Sequence, residues 1–338
     1  MYLCRAERIF PSMSFLLRFA AAAVLLAAPL AGLAATCTTQ AEMSSQDRDL
    51  LSAVALHLSA AIGQQDYAAL QAALLPAESG NWDGIRNAAQ QASSLLTGGR
   101  MQLQNLYLLD ASMQTAPSDT EFFCANQSGT INVTITMHAL PPGKYAVVLA
   151  DAAGAPLDGQ LGLILAWDGG SQGWRLAGLS AHQGVFDGHD GVWYWARARA
   201  LARPDPWSAW YSYDAARYLL LPVDFLTSPN LDKLNQEQEQ IDPSPQKAFP
   251  LSLTQGDRTW KIDAVILAPS LRQPDLGVVF ESAGVTDPAA QRTEATSVMS
   301  ALLKAQPGLR ANFHGLWAIA VTDGKRTPIM ELPMAQIP

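Results

Sequence analysis

The fold is decided by the stretch LGLILAWDGGSQGWRLAGLSAHQ, residues 161–183. An apolar run over 161–167 leads into a glycine-rich segment, and the chain then returns as a second apolar run over 174–180. Two β-type runs joined by glycine and polar residues predict an antiparallel hairpin. The first part of the chain is therefore predicted to close with a pair of antiparallel strands.

The residues before this hairpin predict further strands, and helices before those. Ile131, Val133, Ile135 and Met137 alternate with polar residues, which is the pattern of a strand with one face in water. Near Ser44 the pattern changes to an apolar period of 3.6 residues, which is typical of an amphipathic helix. The predicted elements are helices over 44–62, 67–75 and 81–96, then strands over 103–109, 131–137 and 145–150.

This order of elements, with the quoted stretch as its closing hairpin, resembles the NTF2-like (cystatin-like cone) superfamily over about residues 44–182. The resemblance implies an α+β domain over 36–185, in which a curved antiparallel sheet wraps around the N-terminal helices. The superfamily includes isomerases, dehydratases and binding domains, and its enzymes place an Asp with a His or Tyr inside the cone. His57 and His138 stand alone in this sequence, so no catalytic residue is carried over.

The N-terminus predicts export. The segment LLRFAAAAVLLAAPLAGLAA, residues 16–35, is a short apolar run behind an arginine and ends in small residues, as signal peptides do. We expect residues 1–35 to be removed, with cleavage near Ala34 or Ala35. The predicted location is the periplasm or the extracellular space, with no membrane span left after cleavage.

Three points about this segment stay open at this stage. Translation starts at Met1 or at Met13, and the second start gives the more compact signal peptide. An uncleaved membrane anchor is one alternative to cleavage. Lipidation at Cys37 is another, although Thr36 fits poorly at the position before a lipidated cysteine.

Charge and cysteine content narrow the classes of function. The 338 residues contain 22 Lys and Arg against 30 Asp and Glu, a net charge of −8. Because nucleic-acid affinity rests on clustered basic groups, this balance excludes a nucleic-acid partner.

Cys4 leaves with the signal peptide, and in an oxidising compartment we expect Cys37 and Cys124 to form a disulfide. A reactive thiol or a metal pair would need a neighbouring His or acidic cluster, which neither cysteine has.

Residues 186–245 predict an aromatic-rich helical hairpin followed by a linker. The second helix begins at Pro206, a favoured first-turn position for proline. The aromatic rings suit either a stacking platform for sugars or peptides, or a core between domains. Helical spacing places Trp207, Trp210 and Tyr211 on one face and favours the core. The candidate binding residues are Trp193, Trp195, Trp207, Trp210, His182 and His189.

His182, Asp187, His189 and Asp190 lie close together where the first domain meets this hairpin. Imidazole and carboxylate groups are zinc ligands and can also perform acid–base chemistry. The spacing matches no helical metal pair, and the intervening glycines leave the ligand directions unfixed, so no metal or cofactor is predicted. We interpret the two aspartates as acids at a helix N-terminus and His189 as solvated.

Residues 246–338 predict a small α+β domain of four strands and one helix. His314, beside Phe313 and Trp317, is interpreted as a packed histidine and not as a catalyst. The whole chain is thus predicted to be of α+β class, with an NTF2-like cone, a helical hairpin and a small C-terminal domain.

No pattern in the sequence identifies a reaction. The leading prediction is an exported, non-catalytic protein that binds a small apolar ligand or a cell-envelope partner. An isomerase or hydrolase that uses a His or a carboxylate in the cone pocket is the alternative. A structural adaptor built on the helical hairpin is a third interpretation, which predicts a flat apolar patch in place of a pocket.

Overall fold

The computed structural model describes residues 35–129, 132–221, 223–270, 272–282, 284–285 and 287–338. The predicted signal peptide lies outside these residues except for Ala35. Within the described ranges, no helix combines the length and the apolar character that a membrane crossing needs.

The first part of the chain contains the predicted helices and strands, and it also contains two strands that were not predicted, over 36–39 and 118–125. Ile131, at the start of one predicted strand, lies outside the described residues. The Ser44 side chain accepts a hydrogen bond from the Asp47 backbone N–H at 3.1 Å and so begins the first helix. Asp66 caps the second helix through the Ala69 N–H at 3.0 Å. The elements are β1 Thr36–Thr39, α1 Ser45–Gly63, α2 Tyr67–Ala72, α3 Trp82–Leu96, β2 Arg100–Asp110, β3 Ser118–Ala125, β4 Asn132–Leu140, β5 Lys144–Ala153, β6 Gln160–Asp168 and β7 Gly173–His182.

These elements pack in three layers. Five strands form an antiparallel sheet in the order β1-β2-β5-β6-β7, while β3 and β4 belong to a second sheet. Leu106 and Val148 join the core shared with α1 and α3, whereas Tyr107 and Val147 join the core shared with β3 and β4. Because β5 is covered on both faces, its sequence is a nearly continuous apolar run.

A disulfide joins the edge of the first sheet to the second. Cys37 on β1 and Cys124 on β3 are bonded, with their Cα atoms 5.2 Å apart. The predicted pairing is therefore confirmed. The bond closes a loop over a sequence separation of 87 residues, for which chain entropy gives a stabilisation of about 4–5 kcal/mol.

The middle of the chain is the predicted helical hairpin. Asp190 caps its first helix by accepting from the Trp193 N–H at 2.8 Å, which confirms Asp190 as an acid at a helix N-terminus. Asp205 caps the second helix, and Pro206 occupies its first turn. The elements are β8 Val185–Phe186, β9 His189–Asp190, α4 Gly191–Leu201, α5 Pro206–Leu220, β10 Leu226–Thr227, α6 Pro229–Glu239 and α7 Pro245–Ala248.

The C-terminal part contains one more strand than predicted. Its sheet has the order β11-β12-β13-β14-β15, and β13 pairs in parallel with β14 after a crossover through a helix. The first of these strands was missed because only Leu253 is buried in it, so it carries little apolar signal. The elements are β11 Leu251–Gln255, β12 Arg258–Ser270, β13 Gln273–Glu281, α8 Pro288–Ala305, α9 Gly308–Asn312, β14 Gly315–Thr322 and β15 Lys325–Pro333.

The helical hairpin shares its core with the C-terminal sheet. Trp207 and Tyr211 of α5 belong to the core beneath that sheet, where the Tyr211 ring meets Phe313 edge-on at 6.3 Å. Tyr194 and Tyr213 pack in a separate cluster with Phe186, between the two hairpin helices and α6. Residues 35–338 accordingly form one compact unit. The three predicted parts, 36–185, 186–245 and 246–338, are groups of helices and strands within this unit.

Candidate functional site

A cleft of about 690 Å³ lies between α5, α6 and β12, and we call it the hairpin cleft. Its volume is within the range of small-molecule sites. Aromatic and apolar side chains form part of its wall, and charged or amide side chains form the rest. The lining residues include Trp210, Tyr218, Leu221, Leu267 and Pro269 on the apolar side, and Asp214, Arg217, Asp224, Asn235, Gln238 and Glu239 on the polar side.

The polar side of the hairpin cleft is held by a hydrogen-bond network. Arg217 donates to Asp214 Oδ1 at 2.6 Å, to Asn235 Oδ1 at 3.2 Å and to Gln238 Oε1 at 3.1 Å. Gln238 in turn donates to Asp214 Oδ1 at 2.8 Å and to the Trp210 carbonyl at 3.1 Å. The network links α5 to α6, so these side chains are held in place before any ligand arrives.

Burial raises the pKa of Asp214, against the opposing effects of the Gln238 hydrogen bond and the Arg217 charge. The positive charge of Arg217 is directed at this carboxylate, as their 2.6 Å contact shows. Asp224 and Glu239 are exposed at the same cleft. The charges of the cleft therefore sum to a negative value, which disfavours an anionic ligand.

His182 touches the wall of the hairpin cleft through Tyr218. The two rings meet edge-on at 5.2 Å, and the Tyr218 ring stacks on Phe186 on another side. Burial lowers the pKa of His182, and the charge of Asp224 partly offsets this. The buried Nδ1 of His182 has no hydrogen-bond partner among the described residues. His182 is thus held as a neutral ring against the aromatic wall.

Trp195 belongs to a different network, which fastens α4 to α6. Its indole N–H donates to Glu237 Oε2 at 2.7 Å, and Arg199 donates to both oxygens of the same carboxylate at 2.7 and 2.9 Å. The Arg199 guanidinium also lies over the Trp195 ring at 4.4 Å. Hydrogen bonding from Arg199 lowers the pKa of Glu237. Trp195 is therefore placed to hold two helices together.

A second cleft, of about 360 Å³, lies where α4 meets α9, and we call it the histidine cleft. His189 stacks on Trp193 with ring centroids 3.8 Å apart, and Arg197 lies over the same indole at 5.1 Å. Arg197 also donates to Asn312 Oδ1 at 2.6 Å. His314 lines the cleft as well, so it brings together residues from both the hairpin and the C-terminal part.

His314 is a partly exposed member of a cluster with Asp275 and Glu331. Its Nδ1 lies 3.0 Å from Asp275 Oδ1, and the ligand-type atoms of the three residues lie within 4.8 Å of one another. Burial raises the pKa of Glu331, and the negative charge of Asp275 adds to the effect. We call these three residues the Asp275 cluster.

The candidate binding residues predicted from the sequence therefore do not form one site, and they lie in several parts of the structure. Trp210 lines the hairpin cleft, while Trp193 and His189 line the histidine cleft. Trp207 is only 7 % exposed and packs in the C-terminal core, beside Phe249, as the favoured core interpretation predicts, and it is not available as a binding residue. Its position near the start of α5 turns the ring toward the sheet, which leaves no face for a ligand.

Sequence reasoning missed the Asp275 cluster. Its members come from three separate segments, and only the pairing of β13, β14 and β15 brings them together. One signal was present: Asp275 directly precedes the apolar run LGVVF of β13, and a charged residue is seldom fully buried without a partner. The prediction that no metal is bound was made from the loop between His182 and Asp190. The Asp275 cluster lies in a different part of the structure.

Comparisons of the chain with protein-family models, with curated proteins and with solved structures found no match. The fold and the clefts define a mixed α+β protein with a disulfide and two polar–aromatic clefts. Membership of the NTF2-like superfamily stays a prediction from the sequence. The function is therefore argued from the chemistry of the clefts themselves.

Proposed function

We propose that this chain is an exported binding protein that holds a small amphipathic molecule in the hairpin cleft. The observation that carries the proposal is the cleft itself, which has the volume of a ligand site and combines an aromatic wall with fixed hydrogen-bonding groups. Trp210 and Tyr218 offer apolar surface, and the partly exposed Asn235 offers an amide group, while the buried Gln238 holds the polar side in place. The ligand is thus more polar than the purely apolar molecule predicted from the sequence.

The charges in the cleft indicate the class of ligand. Arg217 is paired with Asp214, whereas Asp224 and Glu239 are exposed to an incoming molecule. A neutral or cationic ligand avoids repulsion by these carboxylates. A flat apolar face on the ligand would stack on Trp210. Neutral sugars, aromatic amines and short uncharged peptides meet these requirements.

Export of the protein is supported by the disulfide. Disulfides form and persist in oxidising compartments, and Cys37 and Cys124 are bonded. The signal-type sequence at the N-terminus agrees with this location. A cell-envelope partner, the second ligand class predicted from the sequence, would meet the protein in the same compartment.

The catalytic alternative placed a His or carboxylate inside the cone. In the described part of the chain, the space between α1, α3 and the first sheet is filled by packed apolar side chains such as Leu51, Ile62, Leu106 and Val148. The clefts described above lie outside this space. A catalyst needs a titratable group that faces its substrate, so this packing favours binding in the hairpin cleft.

The test compares two tryptophan variants in a binding screen. A panel of neutral sugars, aromatic amines and uncharged peptides, together with anionic analogues, is titrated into the wild type and followed by calorimetry. Trp210→Ala should weaken binding of the best neutral or cationic ligand at least about tenfold, because the stacking face is removed. Trp167→Ala removes a more exposed indole, 37 % exposed, from the β6–β7 hairpin, and it should bind as the wild type does.

Two outcomes would count against the proposal. One is a panel in which no neutral or cationic compound binds. The other is a ligand whose affinity is the same in Trp210→Ala and the wild type. Circular dichroism of both variants provides the check that each is folded.

A further inference from the structure

Asp275, His314 and Glu331 bring ligand-type atoms from three segments to one point. Asp275 lies in β13, His314 directly precedes β14, and Glu331 lies in β15. Their ligand-type atoms lie within 4.8 Å of one another. The register of the sheet brings the three residues together, because Leu276 pairs with Leu316 and Trp317 pairs with Glu331. The positions are set by backbone pairing and not by a mobile loop.

The Asp275 carboxylate is incompletely satisfied. Asp275 is 0 % exposed, and its Oδ1 faces His314 Nδ1 at 3.0 Å. Its Oδ2 is buried and has no hydrogen-bond partner among the described residues. A buried carboxylate oxygen without a donor is costly, because burial removes it from water and supplies nothing in exchange. A bound cation would supply the missing interaction.

Glycine at position 315 leaves room for the two carboxylates. A Cβ at Gly315 would lie 2.8 Å from Asp275 Oδ1 and 3.3 Å from Glu331 Oε1. Real Cβ atoms do not approach an oxygen at the first of these distances without a shift of the neighbour. The backbone at this point therefore forms one wall of the cluster, and any side chain there would displace the acids.

The charge balance of the cluster also favours a cation. Two carboxylates lie side by side, and His314 can supply at most one positive charge against their two negative charges. Two carboxyl groups this close are stable side by side only when an opposite charge or a shared proton lies between them. Divalent metal ions in proteins are bound by this combination of carboxylate oxygen and imidazole nitrogen.

We propose that Asp275, His314 and Glu331 form a binding site for one divalent transition-metal ion, with Zn²⁺ as the representative ion. The imidazole favours such an ion over Mg²⁺ or Ca²⁺, which prefer oxygen ligands alone. His314 Nδ1 and Asp275 Oδ1 lie 3.0 Å apart, whereas neighbouring ligand atoms of a tetrahedral ion with bonds of about 2.1 Å lie about 3.4 Å apart, so the two side chains would separate slightly to admit the ion.

The site adjoins the histidine cleft. The His314 side chain is one-third exposed and lines that cleft with Trp193, Arg197 and Asn312. Three protein ligands leave at least one coordination position for water or a bound molecule, as in catalytic zinc sites. This inference does not rest on the hairpin cleft, and either proposal can fail without the other.

Zn²⁺ titration of the metal-stripped protein tests the inference. The protein is treated with EDTA, dialysed, and titrated with Zn²⁺ and separately with Mg²⁺ by calorimetry. We expect one equivalent of Zn²⁺ with a Kd of about 1 µM or below, and no comparable Mg²⁺ binding. Zn²⁺ should also raise the thermal unfolding midpoint, because it binds the folded state.

His314→Gln and Glu331→Gln should each weaken Zn²⁺ binding at least about tenfold. The control is His138→Gln, which alters another His–Asp pair: His138 Nδ1 lies 3.3 Å from Asp119 Oδ2, and both side chains are exposed. This control should bind Zn²⁺ as the wild type does.

The inference is overturned if the wild type takes up no stoichiometric Zn²⁺, since a proton shared by the two carboxylates would then account for the cluster. It is also overturned if both glutamine variants bind Zn²⁺ with wild-type affinity. Equal binding of Mg²⁺ that survives His314→Gln would contradict the assignment of a transition metal.

Discussion

Tyr211→Phe should stabilise the protein, although it removes a polar group from a natural side chain. Tyr211 is 0 % exposed in the core beneath the C-terminal sheet. Its hydroxyl is buried and has no hydrogen-bond partner among the described residues. Burial raises the pKa of Tyr211 far above its ordinary value, so the hydroxyl stays neutral at any working pH. The substitution therefore removes only a desolvated, unsatisfied O–H.

The size of the effect follows from two opposing contributions. Leaving a buried hydroxyl unsatisfied costs about 1–3 kcal/mol. Removing the oxygen also loses a few dispersion contacts, each worth about 0.1–0.2 kcal/mol. The net expectation is a rise in the free energy of unfolding of about 1 kcal/mol. For a chain of this size that corresponds to an increase of about 2 °C in Tm.

Tyr145→Phe is the matched control with the opposite expected sign. Tyr145 is also buried, but its hydroxyl donates to the Pro141 carbonyl at 2.8 Å. Losing this hydrogen bond should cost about 0.5–1.5 kcal/mol. Urea unfolding followed by tryptophan fluorescence measures both variants, with an unchanged m-value as the sign that only stability has changed. A Tyr211→Phe protein destabilised by more than about 1 kcal/mol would refute the unsatisfied-hydroxyl argument.

Two further predictions concern the disulfide and one histidine. Replacing Cys37 and Cys124 together by serine should lower the free energy of unfolding by about 4–5 kcal/mol, measured in urea without reductant; a loss below about 1 kcal/mol would contradict the loop-entropy account. Because burial lowers the pKa of His182, its contribution to stability is present above about pH 6.5 and is lost as the pH falls through the folded-state pKa. His182→Gln should therefore lose less stability than the wild type between pH 7 and pH 5, and equal slopes would show that His182 does not titrate in this way.

The local elements were predictable because their signals are local. Ser44 marks the first helix through a side-chain cap, and Pro206 marks the second hairpin helix through its fixed backbone angle. The disulfide was predictable because removal of the predicted signal peptide would leave Cys37 and Cys124 as the two cysteines of the chain. Each of these signals is contained in a few residues or in a simple count.

The sites were not predictable because their residues meet only through tertiary structure. Asp275 and His314 are separated by 39 positions, and the parallel pairing of β13 with β14 joins them. The hairpin cleft likewise needs α5, α6 and β12 together. Aromatic content indicated that the hairpin was important, but helical spacing alone does not tell a buried ring such as Trp207 from a cleft residue such as Trp210.

The most direct test of the proposed binding site is an indole N–H spectrum recorded during ligand titration. Each tryptophan gives its own signal, and the signals are assigned by single Trp→Phe substitutions. The ligand found in the screen should shift the Trp210 signal and leave those of Trp167 and Trp193 in place, because only Trp210 lines the hairpin cleft. A shift of Trp193 with Trp210 unchanged would place the ligand in the histidine cleft and contradict the account.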